Sequence, residues 1–372
     1  MKRIGYACKW LDDASEVRGM KVNAANRELN GRSTTMRWLR EHPLEAEQRL
    51  YELMDHNTSA AIKQIERVAT LPPERRMMRI GSEMLSGYTE KDWIKWWQHP
   101  DQQRHCEKIF APVGKAARKH DVRVSFHPGQ FCVLASENPG IVERSIEEFE
   151  YHADMARWMG FGKSFQDFKI NVHISGKRGP EGIRSALRRL SPEARNCITI
   201  ENDEMSWGVE SSLELVNDCA LVLDLHHHWI RTGEYIQSTD DRVKRVIDSW
   251  RGVRPVCHYS VSREDVLVGH DPNVVPNHAQ LLESGYKKQK MRAHSDWYWN
   301  QPVTDWAPNI VTIKSTQEVL FYFATLGLRG PRGFLTAGFL SNCCFFAGAF
   351  FGASVVATTS TGAVSTGAVS TG

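Results

Sequence analysis

The fold turns on residues 197–229, CITIENDEMSWGVESSLELVNDCALVLDLHHHW. Two short apolar runs, 197–200 and 220–224, flank a stretch at 211–218 that reads as helical. Each run leads to a carboxylate. Ile198-Thr199-Ile200 ends in Glu201, with Asn202 and Asp203 beyond, and Leu221-Val222-Leu223 ends in Asp224, with His226, His227 and His228 following. Strand, helix, strand is a parallel unit, because parallel neighbours need a crossover of about a dozen residues or more. In parallel α/β folds the side chains at the C-terminal strand ends converge on one face, where chemistry is placed.

The same pattern extends outward. Candidate strands lie at 3–7, 78–82, 122–126, 170–174, 197–200, 220–224 and 255–259. Helix-like segments fill 44–70, 101–120, 140–160, 180–190, 211–218 and 239–250. Ser191-Pro192-Glu193, Ser211-Ser212-Leu213-Glu214 and Asn138-Pro139 resemble helix caps or first turns. Seven strands, each followed by a helix or long loop, read as a (β/α)8 TIM-type barrel or a doubly wound sheet. No Gly-rich phosphate loop follows the first strand, which argues against a dinucleotide fold.

Composition bounds the partners. Of 372 residues, 41% are hydrophobic and 24% charged, ordinary globular values. The charge is formally +3, from 47 Lys+Arg against 44 Asp+Glu, so a nucleic-acid partner would need a local basic groove. Eight cysteines without a CxxC pair suit buried free thiols in a reducing compartment. The N-terminus reads as lacking a secretory signal, and a cytoplasmic or nucleoid-associated location is expected. Two domains are expected: a barrel over 1–306 and a divergent tail over 307–372. The tail carries a 24-residue apolar run at 334–357 and then a five-residue repeat from Ser360. Gly, Ser and Asn342 dilute the run, so a membrane anchor is not favoured over a tail without selected structure.

Five successive strands end in the same kind of residue: His127, His173, Glu201, Asp224 and His258. Alone, each histidine would read as structural and each acid as a helix cap. Together, imidazoles and carboxylates at one mouth are a ligand set for Zn²⁺, Mn²⁺ or Fe²⁺, and a bridging carboxylate with two ions can serve phosphodiester displacement. His226, His227 and His228 cannot all point inward, because alternate residues diverge; the residues alone leave the ligand among them open. His294, in a polar stretch that also holds His278, is a further candidate. Three basic clusters could line a backbone-binding groove: Arg75, Arg76 and Arg79; Lys177, Arg178 and Arg184; and Lys287, Lys288, Lys290 and Arg292. Trp93, Trp96 and Trp97 at helical spacing read as core.

From Arg3 to Trp306 the chain resembles the UV damage endonuclease family, metal-dependent β/α barrels related in fold to endonuclease IV and xylose isomerase. The motifs are IGYA at 4–7, RIGSEML at 79–85, SFHPGQF at 125–131, VHISG at 172–176, IENDE at 200–204, DLHHHW at 224–229, HYS at 258–260 and HSDWY at 294–298. The resemblance implies a DNA repair endonuclease that nicks 5′ to UV photoproducts by divalent-metal-assisted hydrolysis, leaving a 3′ hydroxyl. It makes His127, His173, Glu201, Asp224, His227, His258 and His294 metal ligands, with Glu201, Asp224 and His258 catalytic. The implied ions are two or three Mn²⁺, with Zn²⁺ or Mg²⁺ as alternatives. Gln130 and Phe131 match a pair pushed into the duplex at the lesion, and Tyr6 matches a tyrosine near the extruded bases. The implied partner is duplex DNA carrying UV lesions, bound by a monomer without a nucleotide cofactor. The family lysine two residues before the seventh-strand histidine is Val256 here. The family's eighth strand ends in a ligating glutamate; Asn309–Ile313 carries no acid and Glu318 stands in no matching motif, so that strand reads as missing or degenerate. An endonuclease IV-like abasic-site nuclease, or a damage-binding protein with impaired catalysis, is the alternative.

Overall fold

A computed structural model describes residues 3–10, 27–295, 299–310 and 318–321. The strands are β1 (Ile4–Cys8), β2 (Met77–Ile80), β3 (Arg123–Phe126), β4 (Lys169–His173), β5 (Ile198–Glu201), β6 (Ala220–Val222), β7 (Val256–Tyr259) and β8 (Glu318–Phe321). All pair in parallel, in the order β6-β5-β4-β3-β2-β1-β8-β7. The main crossover helices are α1 (Ala46–Ala69), α2 (Pro100–Lys119), α3 (Pro139–Trp158), α4 (Gly179–Leu187), α5 (Leu225–Thr232), α6 (Asp241–Asp248) and α7 (Gln301–Ile310). This is a TIM-type (β/α)8 barrel. Its seam between β6 and β7 is reduced to one parallel bridge, Asp224 opposite His258, where the His258 N–H donates to the Leu223 carbonyl at 2.9 Å.

The two-residue period of a strand explains the unusual interior. In β4, Ile170 and Val172 join the apolar core, while Lys169, Asn171 and His173 take the alternate face. In β5, Ile198 and Ile200 join that core while Thr199 and Glu201 alternate with them. The alternate faces meet: Thr199 Oγ1 donates to Asn171 Oδ1 at 2.7 Å, and Asn171 Nδ2 donates to Glu201 Oε2. TIM barrels usually fill this space with branched aliphatics. Here a polar column climbs it.

Helix starts agree with the sequence at two of three places. The Asn138 side chain accepts from Gly140 N at the start of α3, and Ser191 accepts from Ala194 N. Ser211 does not cap; the short helix there begins earlier, with Gly208 at the cap position. Gly233, at φ 80°, ends α5 in the left-handed conformation, and its N–H reaches Trp229 O at 2.7 Å.

The eighth strand departs from expectation. Residues 309–310 finish α7, and the strand lies at Glu318–Phe321, between β1 and β7. Glu318 opens this strand, in register with Val256, so it stands at the end of the barrel away from the mouth. Among the described residues no helix is long and apolar enough to cross a membrane; the run at 334–357 lies outside them.

Candidate metal centre

His127 directly follows β3, His173 closes β4 and Glu201 closes β5; Asp224 caps α5, and His258 lies in β7. The barrel brings all five together. Glu201 is fully buried at their centre. Its Oε1 lies 2.8 Å from His258 Nδ1 and 3.6 Å from His227 Nδ1. Its Oε2 lies 3.4 Å from His127 Nε2 and 3.7 Å from His173 Nε2. One carboxylate thus faces four imidazoles. Asp224 uses Oδ1 to accept the His227 N–H at 2.7 Å, so it does cap the helix. Its Oδ2 is buried and has no hydrogen-bond partner. Asn202 pins this corner, accepting from Asp224 N at 2.8 Å and donating to Asp224 O at 3.0 Å.

The electrostatics of the centre are set by burial and by the mutual pull of its carboxylates and imidazoles. Burial pushes the His127 imidazole down to about 3, against the pull of Glu201, so the ring is neutral near pH 7. A neutral ring has one N–H. With the Pro128 carbonyl 2.8 Å from Nδ1, that proton belongs there, and the Nε2 lone pair confronts the Glu201 carboxylate. Burial also depresses His258, with the Lys169 charge adding to it. Burial alone would raise Glu201, yet His258, His173 and His127 hold it well below the usual carboxylate range. Asp224 goes the other way: burial raises it, and Glu201 beside it adds to the rise. Burial opposes a charge on His227, but Asp224, Glu204 and Glu201 raise it to about 9. A buried carboxylate oxygen without a donor, as at Asp224 Oδ2, is costly unless a cation sits beside it.

The donor set fits divalent ions. Ligand atoms of His127, His173 and Glu201 lie within 4.8 Å of one another, as do those of Glu201, Asp224 and His258, and those of His173, Glu204 and His227. The rings are also oriented from outside: His173 Nδ1 is 3.1 Å from Asp203 Oδ2, and His227 Nδ1 is 2.9 Å from Asn202 O.

The other candidates divide. His294 lies beside the cluster, its ring 5.4 Å from that of His227, with Nδ1 bonded to Ser260 Oγ. His226, His227 and His228 are all buried, at the start of α5 and not on a strand. Of the three, His227 faces Glu201; His228 pairs with Glu234 at 2.9 Å. His278 bonds Ile230 O at 3.1 Å, away from the ligand groups. Gln130 and Phe131 are exposed in the turn after β3, Phe131 by 67%. Tyr6 is 2% exposed, and its hydroxyl donates to Gln64 Oε1 at 2.8 Å, so in this conformation it packs in the core. The first basic cluster is a correction, since Arg75 and Arg76 precede β2 at the barrel's opposite end and Arg79 is buried. Trp97 is buried, with Trp93 and Trp96 packed against the core.

The sequence reading missed Lys169, Asn171, Asp203 and Glu204. Lys169 is fully buried, with Nζ 2.8 Å from His258 Nε2. The lysine absent at Val256 is therefore matched, in position against the seventh-strand histidine, by one from β4. Applying strand alternation backward from His173 would have found Asn171 and Lys169.

Comparison with known proteins agrees with this architecture. The family model described as UV-endonuclease UvdE matches residues 2–317. A UV-damage endonuclease of Schizosaccharomyces pombe is 28% identical over 233 residues, which are 59% of this chain and 35% of that protein. A UV DNA damage endonuclease of Bacillus velezensis is 25% identical over 230 residues, 59% of this chain and 67% of that one. The chain therefore spans about a third of the yeast relative and two thirds of the bacterial one. The crystal structure of SacUVDE superposes with a TM-score of 0.59 at 20% identity, covering 86% of this chain and 92% of that one, and so shares the fold.

Proposed function

The chain belongs to the UV-endonuclease UvdE family, and from that premise we propose that it nicks duplex DNA 5′ to UV photoproducts by metal-assisted hydrolysis, leaving a 3′ hydroxyl. The observation that carries this is the Glu201 carboxylate, fully buried among four imidazoles at the barrel mouth. His127, His173 and Glu201 would hold one ion, and Glu201, Asp224 and His258 a second, with Glu201 shared between them. Mn²⁺ suits this mixture of carboxylate and imidazole, with Zn²⁺ or Mg²⁺ as alternatives. Bound there, such ions supply Lewis-acid stabilisation of the charge that builds on the phosphate oxygens.

The protein's own part is preorganisation. Glu201 is fixed by Asn171, Asp224 by Asn202, and His173 by Asp203, so the donors need not rearrange when a phosphate arrives. Gln130 and Phe131 stand at the rim after His127 and would enter the stack where a photoproduct has weakened it. Extrusion of damaged bases costs less than extrusion of sound ones, and that difference selects the lesion. The chain would act as a monomer on chromosomal DNA in the cytoplasm or nucleoid, without a nucleotide cofactor.

One observation favours a second reading. Glu318 opens β8, in register with Val256 at the end of the strand away from the mouth, so the acid of this strand does not stand at its C-terminal end. A damage-binding protein with weakened cleavage fits that fact. The test is cleavage of a duplex with one defined photoproduct, with and without Mn²⁺, beside an abasic duplex. Mn²⁺-dependent nicking 5′ to the photoproduct supports the first reading. Binding without nicking supports the second, and preference for the abasic duplex overturns both.

A further inference from the structure

Of the three groups of ligand atoms at the mouth, one uses a residue outside the expected set: Glu204, with His173 and His227. Glu204 lies three residues past Glu201, in the bend after β5, with its side chain 10% exposed. Its two oxygens are treated differently. Oε1 accepts from Arg292 Nη1 at 3.3 Å. Oε2 is buried, has no hydrogen-bond partner, and lies 3.7 Å from His227 Nε2.

His227 is arranged to match. Its ring is clamped with Nδ1 2.9 Å from the Asn202 carbonyl, the hydrogen bond that metal-ligating histidines commonly make through their second nitrogen. That leaves Nε2 as the ligating atom, and it points at Glu204. His173 cannot serve this site and the Glu201 site at once: its Nδ1 is taken by Asp203, and its Nε2 faces Glu201 Oε2 at 3.7 Å. His294 lies beside His227, ring centres 5.4 Å apart. Two neutral imidazoles alone are a poor seat for a hard divalent ion, which prefers at least one carboxylate.

We infer that Glu204 is a metal ligand, its Oε2 joining His227 Nε2 and His294 to hold an ion separate from those shared by Glu201. Arg292 keeps Oε1 occupied, so the carboxylate binds through a single oxygen. The inference rests on the metal-nuclease reading and adds to it a ligand on the loop after β5.

Mn²⁺ content per chain and Mn²⁺ titration calorimetry on the full-length wild type, Glu204→Gln, Glu204→Asp and Glu201→Gln test it without reference to cleavage. Glu204→Gln should lose one class of Mn²⁺ site and leave the others at wild-type affinity. Glu204→Asp, which keeps the charge on a shorter arm, should retain that site with weaker affinity. In EDTA, Glu204→Gln should melt near the wild-type temperature, because loss of the charge contacts to Arg292 at 3.3 Å and His227 at 3.7 Å is offset by relief of a buried charge. Unchanged Mn²⁺ count and affinity in Glu204→Gln would overturn the inference, as would a lowered melting temperature in EDTA with full Mn²⁺ binding, which would mark Glu204 as a prop for Arg292. If the wild type takes up no Mn²⁺, or Glu201→Gln takes up as much as wild type, the metal-nuclease reading itself fails, and Glu204 falls with it.

Discussion

The two ends of the barrel handle buried charge in opposite ways. At the floor, Arg3 donates to the carbonyls of Arg76 at 3.2 Å and Asp121 at 2.8 Å, and to the Asp121 carboxylate at 2.6 Å. Half-buried Arg123 reaches the Arg254 carbonyl at 2.8 Å. Cations there face acceptors that the fold itself provides. At the mouth, Asp224 Oδ2 and Glu204 Oε2 have no donor, and Glu201 lies among four imidazoles. At the floor, carbonyls and a carboxylate of the chain itself meet most of the charge, which serves stability; at the mouth, buried carboxylate oxygens without a donor suit a cationic ligand.

The contrast breaks most visibly at Glu201. Glu201→Gln should lower Mn²⁺ uptake and reduce nicking by roughly 10³-fold or more, because an amide cannot replace the shared charged ligand. Full metal content with near-normal nicking would remove Glu201 from the centre. The outer rim offers a sharper division within the mouth. Changing Gln130 and Phe131 together to alanine should weaken binding to photoproduct duplex by about tenfold or more and leave Mn²⁺ content unchanged. Equal loss on damaged and undamaged duplex, measured by competition titration, would assign the pair to general backbone contact.

The floor should respond in the reverse sense. Arg3→Met should cost about 1–3 kcal/mol of stability in urea titration, a range that allows for the exposure of Asp121, with Mn²⁺ affinity retained. Loss of metal binding at unchanged stability would erase the distinction between the two ends. The smallest effect is one of pH. His227 is raised to about 9, so its protonated form favours the folded, metal-free protein. That contribution is complete below the ordinary imidazole value near 6.5 and is lost as pH rises through about 9. The melting temperature in EDTA should therefore fall by a few degrees between those limits. His227→Gln should flatten the slope, and an equal slope in that variant would assign it elsewhere.

What the amino-acid sequence made legible follows from the same physics. His127, His173, Glu201, Asp224 and His258 could be read because each ends an apolar run, where polarity breaks a pattern. Lys169 and Asn171 could not be found that way, since they lie inside a run whose neighbours are buried; only the neighbouring strands give them partners. Asp224 was read as either a cap or a ligand, yet its two oxygens allow both. Tyr6 was assigned from a motif alone, and a motif does not report which way a ring packs. The eighth strand was sought as an apolar run with a glutamate at its end, and Asn309–Ile313 carries no acid; Glu318–Phe321 instead begins with its acid, so no strand-end signal existed.

The central claim is that the groups around Glu201 await divalent ions. Diffraction from crystals grown with Mn²⁺, recorded at the manganese absorption edge, tests it directly. Anomalous peaks should lie within bonding distance of both Glu201 oxygens, one shared with His127 and His173 and one with Asp224 and His258. Mn²⁺ at the crystal surface and no peak between Glu201 and these histidines would contradict it.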